Sequence, residues 1–445
     1  GFFGRLNYDY KGKYLVEASG RYDGTSRFKR GQRWGFFPSF SLGWRVSEEA
    51  FFDGIRDQFN NLKLRFSYGQ LGNQNVGYYD YIRKISIGSQ NYLFGGDKPT
   101  TATISAPVAS DLSWERSIHK NLGVDMSFLN NRLAFSADFY IRDTKDMLTA
   151  GIALPATYGA DSPKMNSADL RTKGYELSLS WRDEFQLLRR PFSYSVTLTF
   201  NDYVSNITKF DNPDRSFAKK YYEGMRWGEI WGYRIDGLFA SDEEARNYPV
   251  DQTTVNEIIN ASAGAEKGLR AGDLKFRDVT GDGKITEADR TMIGNPTPDF
   301  TYGYSVNLQY KNFDLGIDFQ GVYGNEIFNT SFLSAYAQYN YHTKRLGRWN
   351  GEGTSNWEPI LDSSRATQMM NSSYFIEDGS YLRLKNIQLG YSFGDRILKK
   401  IRLKALRVFM NIDNLATWSH NTGYTPEIGG TALAFGIDTG DTYPM

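Results

Sequence analysis

The chain has 445 residues, no cysteine and a formal net charge of +1 from 52 basic and 51 acidic residues. That excludes a disulfide scaffold, thiol catalysis and Cys-ligated zinc, and it leaves no basic excess for a nucleic acid. No apolar run reaches transmembrane-helix length and the mean hydropathy is −0.53, yet 16% of residues are aromatic, beside 44 Gly, which suits a membrane β-barrel: only alternate strand residues meet lipid there, and aromatics gather at the interfaces.

Alternation places twelve strands, near 2–10, 13–23, 35–46, 61–70, 114–128, 132–143, 171–182, 192–205, 300–310, 313–323, 380–393 and 401–415. In the fourth, Leu62, Leu64, Phe66 and Tyr68 share one face and Lys63, Arg65 and Ser67 the other. In the seventh and eighth, Leu177, Leu179, Val196 and Leu198 oppose Ser178, Ser180, Thr197 and Thr199. "TYGYSVNLQYKNFDLGIDFQGVYG" (301–324) repeats the pattern on both sides of Lys311-Asn312: Val306 and Leu308 are apolar, Ser305 and Asn307 polar. Two strictly period-two runs around a short turn predict a hairpin. A sandwich would bury the apolar face and a barrel would give it to lipid.

The links separate these options. Links after odd-numbered strands are short, namely Lys11-Gly12, Asn130-Asn131, 183–191, Lys311-Asn312 and 394–400, with 47–60 modest. Most links after even-numbered strands are long: 71–113, 144–170, 206–299 and 324–379, with 24–34 only moderate. An outer-membrane meander has this asymmetry, with tight periplasmic turns and large extracellular loops. Strand parity predicts that one descending strand follows the twelfth, because an open edge is too costly in a bilayer. With no starting Met and a strand-like opening at Gly1, the chain reads as a piece of something longer, with sequence missing at both ends.

Local motifs are few. "DVTGDGKITEAD" (278–289) approximates a calcium loop, with side-chain oxygens from Asp278, Thr280, Asp282 and Asp289, the Lys284 carbonyl, and Thr286 or a water in the remaining place. Thr280 and the short Asp289 make the expected Ca2+ site weak and structural. The same residues also read as a Gly-rich turn in which Thr286 caps a short helix through Asp289. Ser241 and Glu244 have capping-box spacing. The aromatic stretches 221–237 and 336–353 offer either recognition anchors for sugars or peptides, or loop packing. No GxSxG, HExxH or P-loop pattern appears, and His119, His342 and His420 have no motif partner, so no catalytic residue is assigned.

Several stretches together carry a family resemblance: "GRLNYDYKGKYLVEASGRYDGTSRF" (5–28), "WGFFPSFSLGWRVSEEAFF" (34–52), "LRFSYGQLGNQ" (64–74), "AGDLKFRDVTGDGKITEADRTMIGNPTPDFTYG" (271–303) and "GSYLRLKNIQLGYSF" (379–393). In their order the chain resembles the C-terminal barrel portion of SusC/RagA-family TonB-dependent outer-membrane transporters. The resemblance implies an all-β fold, a transmembrane antiparallel up-and-down barrel of about 22 strands, of which 1–445 would supply twelve, without the plug domain and the final strand. It implies import of bulky nutrients, glycans or peptides, across the outer membrane of a Gram-negative bacterium. The implied partners are membrane lipid, a SusD-like surface lipoprotein touching the 71–113, 206–299 and 324–379 segments, and a TonB-type coupling complex acting through the absent plug. A barrel serving as adhesin or scaffold is the alternative, and a barrel enzyme a more distant one.

Overall fold

The computed structural model describes all residues except 106, 110, 151–156, 158–161, 216–220, 253–268, 331–342, 362–370, 429–434 and 439–445. Its main feature is a twelve-stranded antiparallel sheet in which the long strands neighbour one another in chain order. They are β1 (Phe2–Tyr10), β2 (Tyr14–Gly24), β3 (Trp34–Arg45), β4 (Phe59–Asn73), β5 (Glu115–Phe128), β6 (Leu133–Ala150), β7 (Lys164–Leu187), β8 (Arg190–Lys209), β9 (Phe300–Tyr310), β10 (Phe313–Tyr323), β11 (Tyr381–Ser392) and β12 (Arg407–Ser419). All twelve expected strands are present, and the meander is uncrossed.

The ends differ from the sequence reading where partners extend a strand past its alternation. β6 and β7 pair up to Ala150 and Lys164, so the expected 144–170 link shrinks to 151–163. β7 and β8 pair down to Leu187 and Arg190, so 183–191 becomes a two-residue turn, Leu188-Arg189, with both φ values positive. Lys11-Gly12 turns the same way. Positive φ at both central residues matches the twist of the flanking strands. The last strand starts at Arg407 rather than 401. The expected 394–400 link holds a short helix, Asp395–Lys400, with Lys399 and Lys400 in its last turn. The Leu403 amide then bonds the Leu398 carbonyl, so the alternation of 401–406 belongs to a turn. The 71–113 link carries a hairpin of its own, Ile85–Ser89 with Thr100–Ile104.

Directly opposed residues share a face, so the register assembles whole rows. One row runs Tyr10, Tyr14, Trp44, Leu64, Val124, Ala137, Leu177 and Phe200. Leu179 and Leu198 oppose each other one row away, and Ser180 and Thr197 oppose each other on the reverse face. Tyr14, at the short-turn end of β2, stacks with Tyr10, while Tyr22 at the other end stacks with Trp34, which also stacks with Phe2. These belts stand roughly 26 Å apart along β2, at about 3.3 Å per residue, which suits an apolar band between two aromatic girdles. In the lower belt Glu49 accepts hydrogen bonds from the Tyr14 hydroxyl (2.6 Å), the Trp44 indole N–H (3.2 Å) and the Lys13 ammonium (3.3 Å).

The described residues form two compact units. The first is Gly1–Trp227, Tyr302–Asp318 and Gln388–Asn411; the second is Gly228–Thr301, Phe319–Ile387 and Ile412–Met445. The second has its own core of Tyr233, Leu238, Leu274, Phe276, Ile285, Ile293, Phe328, Tyr374 and Phe375. Small sheets support it: Ile235–Leu238 pairs with Leu274–Phe276, and Glu326–Asn329 pairs with both Ile376–Asp378 and Ile437–Asp438. Its buried Arg345 pairs with Glu358, and the Tyr374 hydroxyl donates to that carboxylate.

Candidate functional site

The polar face of the sheet is one candidate. Asn7, Glu17, Ser41, Ser67, Asn121 and Tyr140 form one row across six strands. In the next row Arg65 on β4 reaches the next strand and the one beyond it. Its Nε and Nη2 donate to Asp125 on β5 at 2.8 and 3.0 Å, and its Nη1 and Nη2 to Asp138 on β6 at 2.9 and 2.8 Å. The reach to Asp138 passes over Gly123: a Cβ there would lie 2.6 Å from Arg65 Cζ and 2.7 Å from Asp138 Oδ1. Arg407 on β12 repeats the device. It pairs with Asp314 on β10 at 3.1 and 2.5 Å, across Gly390 on β11, whose Cβ would meet both partners at 2.5 Å. Planar guanidinium–carboxylate forks thus tie alternate strands together where a glycine clears the way.

Two open concavities line this face. One, of about 430 Å3, is bordered by Asn7, Asp9, Glu17, Lys63, Arg65 and Ser67. The other, of about 630 Å3, is bordered by Ser195, Asn307, Gln309, Asp314 and Gln388. Both present hydrogen-bonding groups held by the wall. Such a surface suits a wet interior and fits the polar assignment of Ser178, Thr197, Ser305 and Asn307. The sequence reading identified the face but not the Arg65 and Arg407 forks; an Arg in a polar strand position with a Gly in a nearby strand was the available signal.

The 278–289 loop sits in the second unit. Asp278 accepts from the Gly281 amide (2.6 Å) and the Gly283 amide (2.8 Å), and Asp282 from the Lys284 amide (2.9 Å). Gly281 and Gly283 have positive φ, which a residue with a side chain rarely adopts. Asp289 is fully buried. It accepts from the Val279, Thr280 and Thr286 amides and from the hydroxyls of Thr280 and Thr286. Burial would raise its pKa, but these donors outweigh burial and hold it below the ordinary carboxylate range. Thr286 caps the short helix Glu287–Asp289 in a capping box, the second of the two sequence readings. Among the described residues no group of three or more His, Asp or Glu is placed to hold a metal. Asp278, Thr280, Asp282 and the Lys284 carbonyl keep the order of a cation loop, whereas Asp289 is saturated by internal donors.

The remaining candidates divide. Ser241 caps Asp242–Arg246, accepting from the Glu244 amide, while Glu244 accepts from the Ala240 amide and pairs with Lys275. Lys275 first, then that amide, lowers the Glu244 pKa. In 221–237, Tyr221 stacks on Trp227 and Tyr233 lies in the core, so packing accounts for these rings. Within 336–353, residues 336–342, including His342, lie outside the described residues. His119 and His420 are separately placed: His119 contacts Ser117 and His420 contacts Asp378.

A family model described as "TonB dependent receptor-like, beta-barrel" matches residues 1–272. The chain belongs to this family. TonB-dependent receptors P3 and P39 of Formosa agariphila are 32% and 31% identical over 96% and 98% of the chain, covering 41% and 44% of their own lengths. TonB-dependent receptor SusC of Bacteroides thetaiotaomicron is 29% identical over 96% of the chain and 41% of its own length. The chain therefore spans less than half the length of these curated relatives. A solved structure described as the RagAB peptide transporter matches with a TM-score of 0.75 at 23% identity, over 96% of this chain and 44% of that one, a likeness of fold. The sheet is thus part of a TonB-dependent receptor barrel, an outer-membrane β-barrel of a transporter family rather than an enzyme family. In such a barrel the apolar rows face lipid and the polar rows face the lumen.

Proposed function

We propose that this chain supplies wall and extracellular loops to an outer-membrane TonB-dependent importer of bulky nutrients, glycans or peptides. The observation that carries the reading is the uncrossed twelve-strand meander with a continuous polar face in a TonB-dependent receptor family member. Import then rests on passage along hydrogen-bonding groups fixed by the wall, with no covalent chemistry assigned to it. The energy source is a TonB-type complex acting on a plug segment, and the outer partner is a SusD-like surface lipoprotein. The length of the 71–113, 206–299 and 324–379 segments supports their extracellular placement and contact with that lipoprotein.

The test is to express the full-length transporter in its native membrane, isolate it, and measure uptake of labelled oligosaccharides and peptides with and without energy coupling. Coupling-dependent uptake and a co-purifying lipoprotein are expected. Surface adhesion that persists without any coupled uptake would favour the scaffold alternative.

For the 278–289 loop the proposal is a weak structural calcium site using Asp278, Thr280, Asp282, the Lys284 carbonyl and Asp289. The order of the oxygens supports it; Asp289 would have to exchange internal donors for the ion. Calcium added to about 1 mM, the weak end for extracellular modules, should protect the loop from protease. Unchanged cleavage would leave it a capped turn.

A further inference from the structure

The outward face changes character near the long-link end of β5 to β7. Lys120, Ile141 and Lys173 oppose one another in a single row, followed one row nearer the midplane by Leu122, Phe139 and Tyr175. Lys120 and Lys173 stand two strands apart, roughly 10 Å at the backbone. From Lys173 to Trp181, an outward aromatic near the short-turn end of β7, is roughly 26 Å along the strand, so the two lysines stand at the far edge of the apolar band.

Between them the wall is hollowed. An open concavity of about 380 Å3 is lined by Phe66, Leu122, Phe139, Ile141 and Tyr175, with Lys120 and Lys173 on its border. Its lining is uncovered: Leu122 is 58% and Phe139 53% exposed. Lys173 is exposed, and no hydrogen bond or ion pair of its ammonium is found among the described residues. Among the described residues Lys120 meets Asp143 alone, at 4.0 Å, and that carboxylate is taken by Arg171 at 2.6 Å. Asp202 also borders the hollow and is already engaged by another group.

We propose that this hollow binds a phosphorylated lipid of the outer leaflet, with acyl chain on Leu122, Phe139 and Ile141 and phosphate between Lys120 and Lys173. The argument is charge complementarity joined to position. Two lysines at a lipid-facing edge cannot be matched by hydrocarbon, and an anionic headgroup at that depth matches both. Lysine arms are long enough to converge on one phosphate from alternate strands and bind it as point charges. The site is independent of the transported nutrient.

The full-length transporter would be reconstituted in phosphatidylcholine vesicles carrying either diphosphorylated lipid A or its dephosphorylated counterpart. After re-extraction in mild detergent, retained lipid is counted by native mass spectrometry. Wild type should retain the phosphorylated form selectively, and Lys120→Gln/Lys173→Gln should lose it. Correct folding of the variant is read from heat-modifiable gel mobility. If the pair impairs folding, Lys173→Gln alone serves, because that ammonium has no hydrogen bond or ion pair among the described residues. Equal retention by wild type and variant, equal retention of both lipids, or displacement of the lipid by inorganic phosphate would overturn the proposal.

Discussion

Asp289 holds the 278–289 loop together at a single carboxylate. Its carboxylate collects three amides and two hydroxyls in the space of eleven residues. Asp289→Ala should strand those amides at a cost of about 1–3 kcal/mol, read as faster hydrogen exchange at Val279, Thr280 and Thr286. The same group fixes a pH dependence. Its folded pKa lies below the ordinary carboxylate value, so its contribution is present above about pH 4 and fades as pH falls through the lower folded value. Protease sensitivity of 278–289 should therefore be flat at neutral pH and rise only in acid. Glu244, lowered by Lys275 and the Ala240 amide, acts in the same direction, though its exposure weakens its effect.

The strands follow a different logic, because a row is only as good as its weakest face. Leu177 opposes Phe200 on the lipid side, midway between Lys173 and Trp181, so Leu177→Arg should cost roughly 2–4 kcal/mol near the midplane. Ser178→Arg, turned to the lumen, should cost much less, and urea unfolding in detergent or vesicles compares the two. Gly123→Ala tests the fork. Its Cβ would lie 2.6 Å from the Arg65 guanidinium, so Arg65 must swing away from Asp138 while keeping Asp125. The expected loss is about 1 kcal/mol, since these groups are partly exposed. Arg65→Ala removes both pairs and should lower the unfolding midpoint further.

Across the whole molecule, wall and loops draw on separate sources of stability. The wall has a single layer of strands with one face given to lipid, so backbone pairing dominates it. The second unit has an ordinary buried core, with Leu274, Phe276 and Ile285 fully buried. Phe276→Ala should cost about 3–5 kcal/mol there. Limited proteolysis is expected to reveal it as cleavage within 228–301 or 319–387. Unchanged cleavage of those segments would mean that the core does not hold them.

The sequence by itself determined what is local. Period-two alternation located all twelve strands and divided Leu177 and Leu179 from Ser178, because a strand turns successive side chains to opposite faces. Link lengths marked the two ends of the wall, and Ser241 with Glu244 marked a cap, because capping spans a few residues. Tertiary structure decided what depends on distant partners. β6 and β7 outrun their alternation because each completes the other's hydrogen bonds, and residues 401–406 turn because the preceding helix redirects the chain. The Arg65–Asp138 and Arg407–Asp314 forks join residues 73 and 93 positions apart. Register alone brings each pair together over a glycine, and register is a property of paired strands that no single strand contains.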